Sequence, residues 1–220
     1  MDKLIAEMAQ ADADHPPLPR KLVIAAHSFI LRYFQDALAQ FEEDMPEIGI
    51  ELDLDTCSAG PLAEKMRKGT VDIGFFYALG TPTEPESDLV WHEPLALFVA
   101  KDHDLAQRPH VQPSDVIKYP LVRFSERNHL GLLINEAMEQ AGLGDCTVAT
   151  ETDDYGLILS SVRKIHGCFC MLESSSADLR NVGGLQPIAF AGELPDIAVR
   201  RAVRAPWRND PVVIKLLSTL

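Results

Sequence analysis

Residues Ile48-Gly-Ile-Glu-Leu-Asp-Leu-Asp-Thr-Cys-Ser-Ala-Gly-Pro-Leu-Ala-Glu-Lys-Met-Arg-Lys-Gly-Thr-Val-Asp-Ile-Gly-Phe-Phe-Tyr77 decide the fold. They open on a strand-like run to Asp55, pass through a short loop Thr56-Cys57-Ser58, and enter a helical stretch from Ala59 to Lys68 that Gly69 stops. Pro61 fits only the first helical turn, where its missing N–H costs nothing, so Ser58 is the expected N-cap. The run Val71 to Tyr77 then returns as a strand. A strand, a helix and a second strand at this spacing make a βαβ unit, whose strands lie parallel in a sheet that helices cover on both faces.

Working outward, the same alternation extends both ways. Upstream, Lys21 to Ala26 is a short apolar run of strand length, and His27-Ser28 lead into apolar residues at Leu31, Phe34, Leu38 and Phe41. That spacing predicts a helix over 28–44, capped by Ser28 and closed before Pro46. Downstream, Leu89 to Ala100 reads as a strand. The pattern then restarts with Tyr119-Pro-Leu-Val-Arg-Phe124, a helix from His129 to Ala141 ended by Gly142, and a strand from Thr147 to Thr152. A helix from Asp154 to Ile165, with Asp153 as its expected cap, a strand Cys168 to Leu172, a short helix Ser175 to Arg180 and a strand Leu185 to Phe190 complete this second set. Asp196 to Val203 is one further strand, and Asp210-Pro211 open a C-terminal helix. The chain is therefore expected to be α/β with two lobes, the first built from 21–99 plus 197–220 and the second from 100–196. Residues 1–20 read as a short helix carrying Leu4, Ile5 and Met8, followed by a linker broken by Pro16, Pro17 and Pro19.

Composition narrows the function classes. An apolar fraction of 46% in 220 residues is that of an ordinary globular chain with room for one or two cores. At a net charge of −13 the Lys and Arg residues are scattered apart from one local run, and without clustered cations to displace counterions from phosphates this stretch alone is a poor nucleic-acid binder. One local run, Arg200, Arg201, Arg204 and Arg208, reads as a solvated strand edge, with an anion site as the alternative. Glu7 interrupts the single short apolar stretch near the N-terminus, so neither a signal-peptide core nor a spanning helix is read there, and a cytoplasmic protein is expected. Cys57, Cys146, Cys168 and Cys170 fit neither a disulfide framework nor zinc spacing; Cys168-Phe169-Cys170 alternates as a buried strand, whose thiols act as small hydrophobes. No metal or cofactor motif is present, and none is expected.

Five local strings, in this order, resemble the effector-binding domain of LysR-type transcription regulators. They are Lys21-Leu-Val-Ile-Ala-Ala-His-Ser28; Leu62 through Gly69 followed by Val71-Asp72-Ile73-Gly74; Trp91-His-Glu-Pro-Leu-Ala-Leu-Phe-Val99; Lys101-Asp-His-Asp-Leu-Ala106; and Tyr119-Pro-Leu-Val-Arg-Phe124. The resemblance covers residues 21–220. It implies a fold like the type 2 periplasmic binding proteins, two Rossmann-like subdomains joined by two crossover strands. It also implies a small-molecule effector in the cleft, homodimers that form tetramers in the full-length regulator, and promoter binding through a winged helix-turn-helix that this sequence lacks. Residues 1–12 resemble the tail of the linker helix. One departure from the family pattern is Val162-Arg163-Lys164-Ile165-His166-Gly167, charged where small residues are usual.

In open α/β sheets ligands sit beyond the carboxyl ends of the parallel strands, where helix N-termini present unpaired N–H groups. Those positions here are His27-Ser28-Phe29, Thr56-Cys57-Ser58 and Ser125 through His129. The candidate contacts are Ser28, Ser58, Ser125, Arg127, His27, Phe29 and His129. Each serine equally fits a plain cap or turn residue. Arg127 and His129 suit a ligand carboxylate, the guanidinium through two parallel N–H groups, or else face solvent. His27 reads first as a satisfied polar group, and Phe29 and Phe169 first as core. The expected ligand is a small carboxylate or other anion. Two other functions share the architecture: a solute-binding protein for import, which would need a secretion signal, and a two-lobed enzyme, for which no nucleophile elbow or metal spacing is found.

Overall fold

The computed structural model describes residues 20–56 and 58–220. The expected N-terminal helix, most of the proline-rich linker and Cys57 lie outside the described residues. The order of elements begins β1 (Arg20–Ala26), α1 (Ser28–Leu31), α2 (Gln35–Asp44), β2 (Ile48–Asp53), α3 (Ala59–Lys68), β3 (Ile73–Ala78), β4 (Asp88–Glu93) and β5 (Leu95–Ala100). It continues with α4 (Pro113–Val116), β6 (Leu121–Arg123), α5 (His129–Gln140), β7 (Val148–Glu151), α6 (Tyr155–Lys164) and β8 (Cys168–Leu172). Last come α7 (Ser176–Asn181), β9 (Leu185–Pro187), β10 (Ile197–Val203) and α8 (Pro211–Thr219).

These strands form two five-stranded sheets, ordered β2-β1-β3-β10-β4 and β7-β6-β8-β5-β9. In the first, β1 pairs parallel with β2 and β3, while β10 runs antiparallel between β3 and β4. In the second, β6 pairs parallel with β7 and β8, and β5 runs antiparallel to β8 and β9. Among the described residues no helix is long and apolar enough to cross a membrane.

The sequence expected one strand from Leu89 to Ala100 and a first lobe reaching residue 99. The structure breaks this run at Pro94, which has no N–H for a ladder, and β5 joins the second sheet. The helix expected over 28–44 is also broken. Tyr33 N–H donates to Ile30 O at 3.1 Å and Phe34 N–H to Leu31 O at 2.8 Å, so the chain tightens into a turn between α1 and α2. The apolar stripe survives the break, with Leu31, Phe34, Leu38 and Phe41 all buried.

Packing explains the central β3. All six of its residues are buried, as expected of a strand covered on both faces. Phe75 faces the large apolar cluster that continues into the second sheet, while Phe76 faces Leu62 and Met66 of α3. A Cβ at Gly74 would come within 2.4 Å of both Leu62 methyls, so this glycine is what lets α3 lie so close. Asp72, at 4% exposure, ties three segments together. Its carboxylate accepts Val23 N–H at 3.0 Å and the Arg204 Nε and Nη2 groups at 3.1 and 2.6 Å.

The arginine run is not a solvated edge, because β10 sits inside the sheet rather than at its margin. Arg200 is 8% exposed and donates to the Ser87 hydroxyl and carbonyl at 3.0 and 2.7 Å. Arg201 faces Asp88, Arg204 takes Asp72, and Arg208 takes Glu86 at 2.7 Å. Arg200, Arg201 and Arg208 thus hold the end of the β3–β4 loop and the start of β4 against β10 and its continuation, while Arg204 ties that continuation to Asp72 ahead of β3. The charges of Arg163 and Lys164 are exposed in the last turn of α6, where they complement the helix dipole.

Candidate functional site at the strand carboxyl ends

All three parallel strands of the second sheet, and β1 and β2 of the first, lead at their carboxyl ends to helix N-termini, whereas β3 runs on to β4. In the first sheet β1 ends at His27 and β2 leads to Ser58; in the second β6 leads to Ser125, β7 to Asp153 and β8 to Ser175. An ion pair joins the two groups of elements: Arg32, just beyond α1, lies 3.4 Å from Asp178 of α7. The loops after β1 and after β8 therefore face each other.

His27, not Ser28, caps α1. Its Nδ1 accepts the Phe29 N–H at 3.2 Å, and Ser28 becomes the exposed first helical residue. The bond requires an unprotonated Nδ1, and burial holds the His27 pKa below the usual histidine range. The imidazole stacks on Phe29 with centroids 5.2 Å apart and meets Tyr77 edge-on at 5.8 Å. Arg32 lies over the other part of this group, 5.6 Å from the Phe29 ring. His27, Phe29 and Arg32 thus form one half-buried cationic and aromatic wall, backed by the buried Tyr77.

The loop before Ser58 is organised by Asp53. Its carboxylate accepts the Thr56 N–H and hydroxyl at 3.2 and 2.9 Å, and Lys65 Nζ approaches to 2.5 Å. Burial opposes ionisation of Asp53, but the bonds from Lys65 and Thr56 outweigh it and the pKa falls. Ser58 is the N-cap of α3 and is 6% exposed, yet its hydroxyl makes no capping bond among the described residues.

On the opposite side Ser125 is committed to Asp153: its N–H and hydroxyl donate to the carboxylate at 3.1 and 2.6 Å. Asp153 therefore does not cap the next helix; Asp154 does, accepting the Leu157 N–H at 2.8 Å. Asn128 caps α5 through the Gly131 N–H at 2.9 Å, which makes the half-buried His129 its first residue. Burial lowers the His129 pKa. Arg127 is exposed, and its backbone N–H reaches the Ser125 hydroxyl at 3.3 Å. Phe169 is core, fully buried and edge-on to Phe124 at 5.5 Å.

Two hydroxyls that the sequence reading missed belong to this region. Ser175 and Ser176 follow the carboxyl end of β8, and their Oγ atoms are buried without hydrogen-bond partners among the described residues. A buried hydroxyl left unpaired costs roughly 1–3 kcal/mol, so it asks for a partner that the fold does not supply. The signal was present as Glu173-Ser-Ser-Ser176 directly after a strand. Among the described residues no His, Cys, Asp and Glu group is placed to hold a metal.

Two parallel-stranded α/β halves whose loops meet across an ion pair define a bilobal ligand-binding domain. The family model described as the LysR substrate binding domain matches residues 17–220, and the chain belongs to that family, the effector-binding part of LysR-type regulators. A curated relative, the uncharacterized HTH-type transcriptional regulator YnfL of Escherichia coli K12, is 31% identical over 104 residues, 46% of this chain. The match spans 34% of that relative, about a third of its length. Among solved structures, the full-length BenM E226K mutant superposes with a TM-score of 0.79 at 16% identity, covering 99% of this chain and 71% of that one. The Synechocystis PCC6803 CcmR regulatory domain in complex with 2-PG gives 0.73 at 14% identity, covering 90% and 94%. These likenesses establish the fold as the two-lobed type 2 periplasmic-binding-protein kind.

Proposed function

We propose that this domain senses a small organic carboxylate held between the two sets of strand carboxyl ends. Ser28, Ser58 and His27 face it from the first sheet, with Phe29 as apolar wall, and Ser125, Arg127 and His129 face it from the second. The observation that carries this reading is the pair of buried hydroxyls left without partners at these ends among the described residues, Ser175 and Ser176, together with a Ser58 hydroxyl that makes no capping bond. An effector that satisfies them binds the closed arrangement better than the open one, and that difference in affinity is what shifts a two-state equilibrium. The lobes in this proposal are residues 21–93 plus 197–220 and residues 95–196.

A second reading is favoured by one contact. The Asp153 carboxylate beside Ser125 repels an anion but suits an ammonium group, so an effector carrying both charges places its carboxylate toward Ser58 and its cation toward Asp153. In the whole regulator we infer a cytoplasmic protein that pairs side by side through the helices within 28–44 and 129–141. It reaches promoter DNA through a helix-turn-helix outside this sequence, and ligand closure alters the dimer or tetramer arrangement.

The test is a thermal-shift screen of small carboxylates and amino acids. At one hundred times its dissociation constant a ligand stabilises the native state by about 2.7 kcal/mol. A hit should weaken at least tenfold, about 1.4 kcal/mol, in Ser58→Ala and in Arg127→Ala. Binding unchanged in both would discard the assignment. Weakening by Asp153→Asn for amino acids but not for plain acids would select the second reading.

A further inference from the structure

A different cavity, of about 440 Å³, opens beside the chain crossing and is lined by Tyr33, Phe34, Trp91, His92, Glu93 and Leu220. Its rings are arranged as a corner. Trp91 meets Tyr33 edge-on at 5.4 Å and Phe34 edge-on at 5.8 Å. In this apolar setting stands a carboxylate. Glu93 is 3% exposed, and the Trp91 Nε1–H donates to its Oε1 at 2.9 Å. Among the described residues no cation pairs with it, whereas Asp44 pairs with Lys215 at 3.5 Å and Asp178 with Arg32 at 3.4 Å.

A carboxylate at 3% exposure with one neutral donor has acceptor positions to spare, because a carboxylate offers about four of them, and Glu93 lines the cavity. What completes it must be a donor or a cation, and the walls that remain are aromatic faces, which attract cations through the ring quadrupole. Anions are repelled by Glu93 itself, and a neutral apolar ligand leaves its charge unanswered. The net charge of −13 favours approach of a cation. Two cationic groups of the protein border the region. Arg32 lies 5.2 Å from the Tyr33 ring but is held by Asp178, and His92 is exposed at the rim.

We propose that this corner is a second ligand site, for a small organic ammonium ion, with Glu93 as counter-ion and Trp91, Tyr33 and Phe34 as cation-binding faces. Its place in the fold gives it leverage. Glu93 pairs with Ile197, so the cavity sits where β4 and β10, the two first-sheet strands next to the chain crossings, lie side by side, and Pro94 follows directly. Tyr33 and Phe34 lie in the same turn as Arg32, which reaches the site at the strand carboxyl ends. The two sites therefore share a turn but no ligand contact, and the ammonium site stands whether or not the carboxylate reading holds.

The Trp207→Phe protein has Trp91 as its single tryptophan, which reports on the cavity directly. Choline chloride, titrated against sodium chloride at equal ionic strength, should change Trp91 fluorescence saturably. The neutral isostere 3,3-dimethyl-1-butanol should bind at least tenfold more weakly. Adding Glu93→Gln, which keeps an acceptor for Trp91 Nε1–H and so preserves the local fold, should weaken choline at least tenfold. The proposal is overturned by a choline response no different from that of sodium chloride, by equal binding of the neutral isostere, or by unchanged affinity in a Glu93→Gln protein whose melting curve shows it folded.

Discussion

Replacing Asp72 with alanine should cost about 3 kcal/mol of stability. The side chain is 6% exposed, accepts Val23 N–H from β1 and two guanidinium N–H groups of Arg204 beyond β10, and has no substitute among the described residues. Removing one member of a buried ion pair costs about 3–5 kcal/mol, because the other is left desolvated and unpaired. Arg204 is 25% exposed in its side chain, so water relieves part of that penalty and the lower end of the range applies. For a chain of this size each kcal/mol lowers the melting midpoint by about 2–4 °C, which predicts a drop of about 6–12 °C. Asp72→Asn retains one acceptor oxygen and loses the charge, so it should fall between wild type and alanine. Urea denaturation of the single variants and of Asp72→Ala combined with Arg204→Ala closes a double-mutant cycle, in which the pair should couple by more than about 1 kcal/mol. A loss below about 1 kcal/mol for Asp72→Ala, or an additive cycle, would refute the view that this carboxylate fastens β1 to the far end of β10.

Gly74→Ala places a methyl within 2.4 Å of Leu62 and should cost about 1–3 kcal/mol by overpacking, with Leu62→Val restoring part of it in denaturant titrations. Stability should decline as pH falls below about 6.5, because burial depresses the pKa of His27, His103 and His129 in the folded protein and the unfolded chain then takes up protons more readily. His103 should carry a visible share: it is 1% exposed, its Nδ1 accepts Leu105 N–H at 3.0 Å and its Nε2–H donates to His166 O at 3.1 Å. His103→Gln should therefore flatten the midpoint-against-pH curve between about pH 5 and 6.5, and an unaltered slope would remove His103 from the account. Native Cys168 and Cys170 should resist iodoacetamide at pH 8 and react only after unfolding, since burial pushes the first thiol up to about 12 and the second higher still; mass spectrometry of the labelled protein decides this.

The sequence revealed those parts of the fold that depend on local period and punctuation. The βαβ unit over 48–77 was legible because Ser58, Pro61 and Gly69 mark helix limits chemically, and the helix 129–140 because its apolar spacing and Gly142 agree. Pro94 was hidden inside a continuous apolar stretch in which either side reads as strand. The arginines of β10 were misread because a run of charge looks like an edge, and only long-range pairing puts β10 between two neighbours. At the candidate site, loop positions followed from topology, whereas partners did not. Nothing local distinguishes Asp153 bound to Ser125 from Asp153 capping a helix, and the buried hydroxyls of Ser175 and Ser176 are a property of packing.

The placement of β10 also sets an order of events for a chain leaving the ribosome. Strands β5 to β9 lie between Leu95 and Pro187, so every strand of the second sheet has been synthesised before β10 begins at Ile197. The first sheet is different: β3 and β4 do not pair with each other, and each waits for the strand that fills the gap between them. Until residue 203 emerges, β3 offers along Ile73–Ala78 an edge that the finished protein buries completely, and unpaired edges of this kind recruit other chains. A nascent chain stalled before Ile197 thus holds a completed second half tethered to an open first half. The segment that closes the sheet arrives late, and Arg204, just beyond it, brings the guanidinium that Asp72 has been awaiting since early in translation.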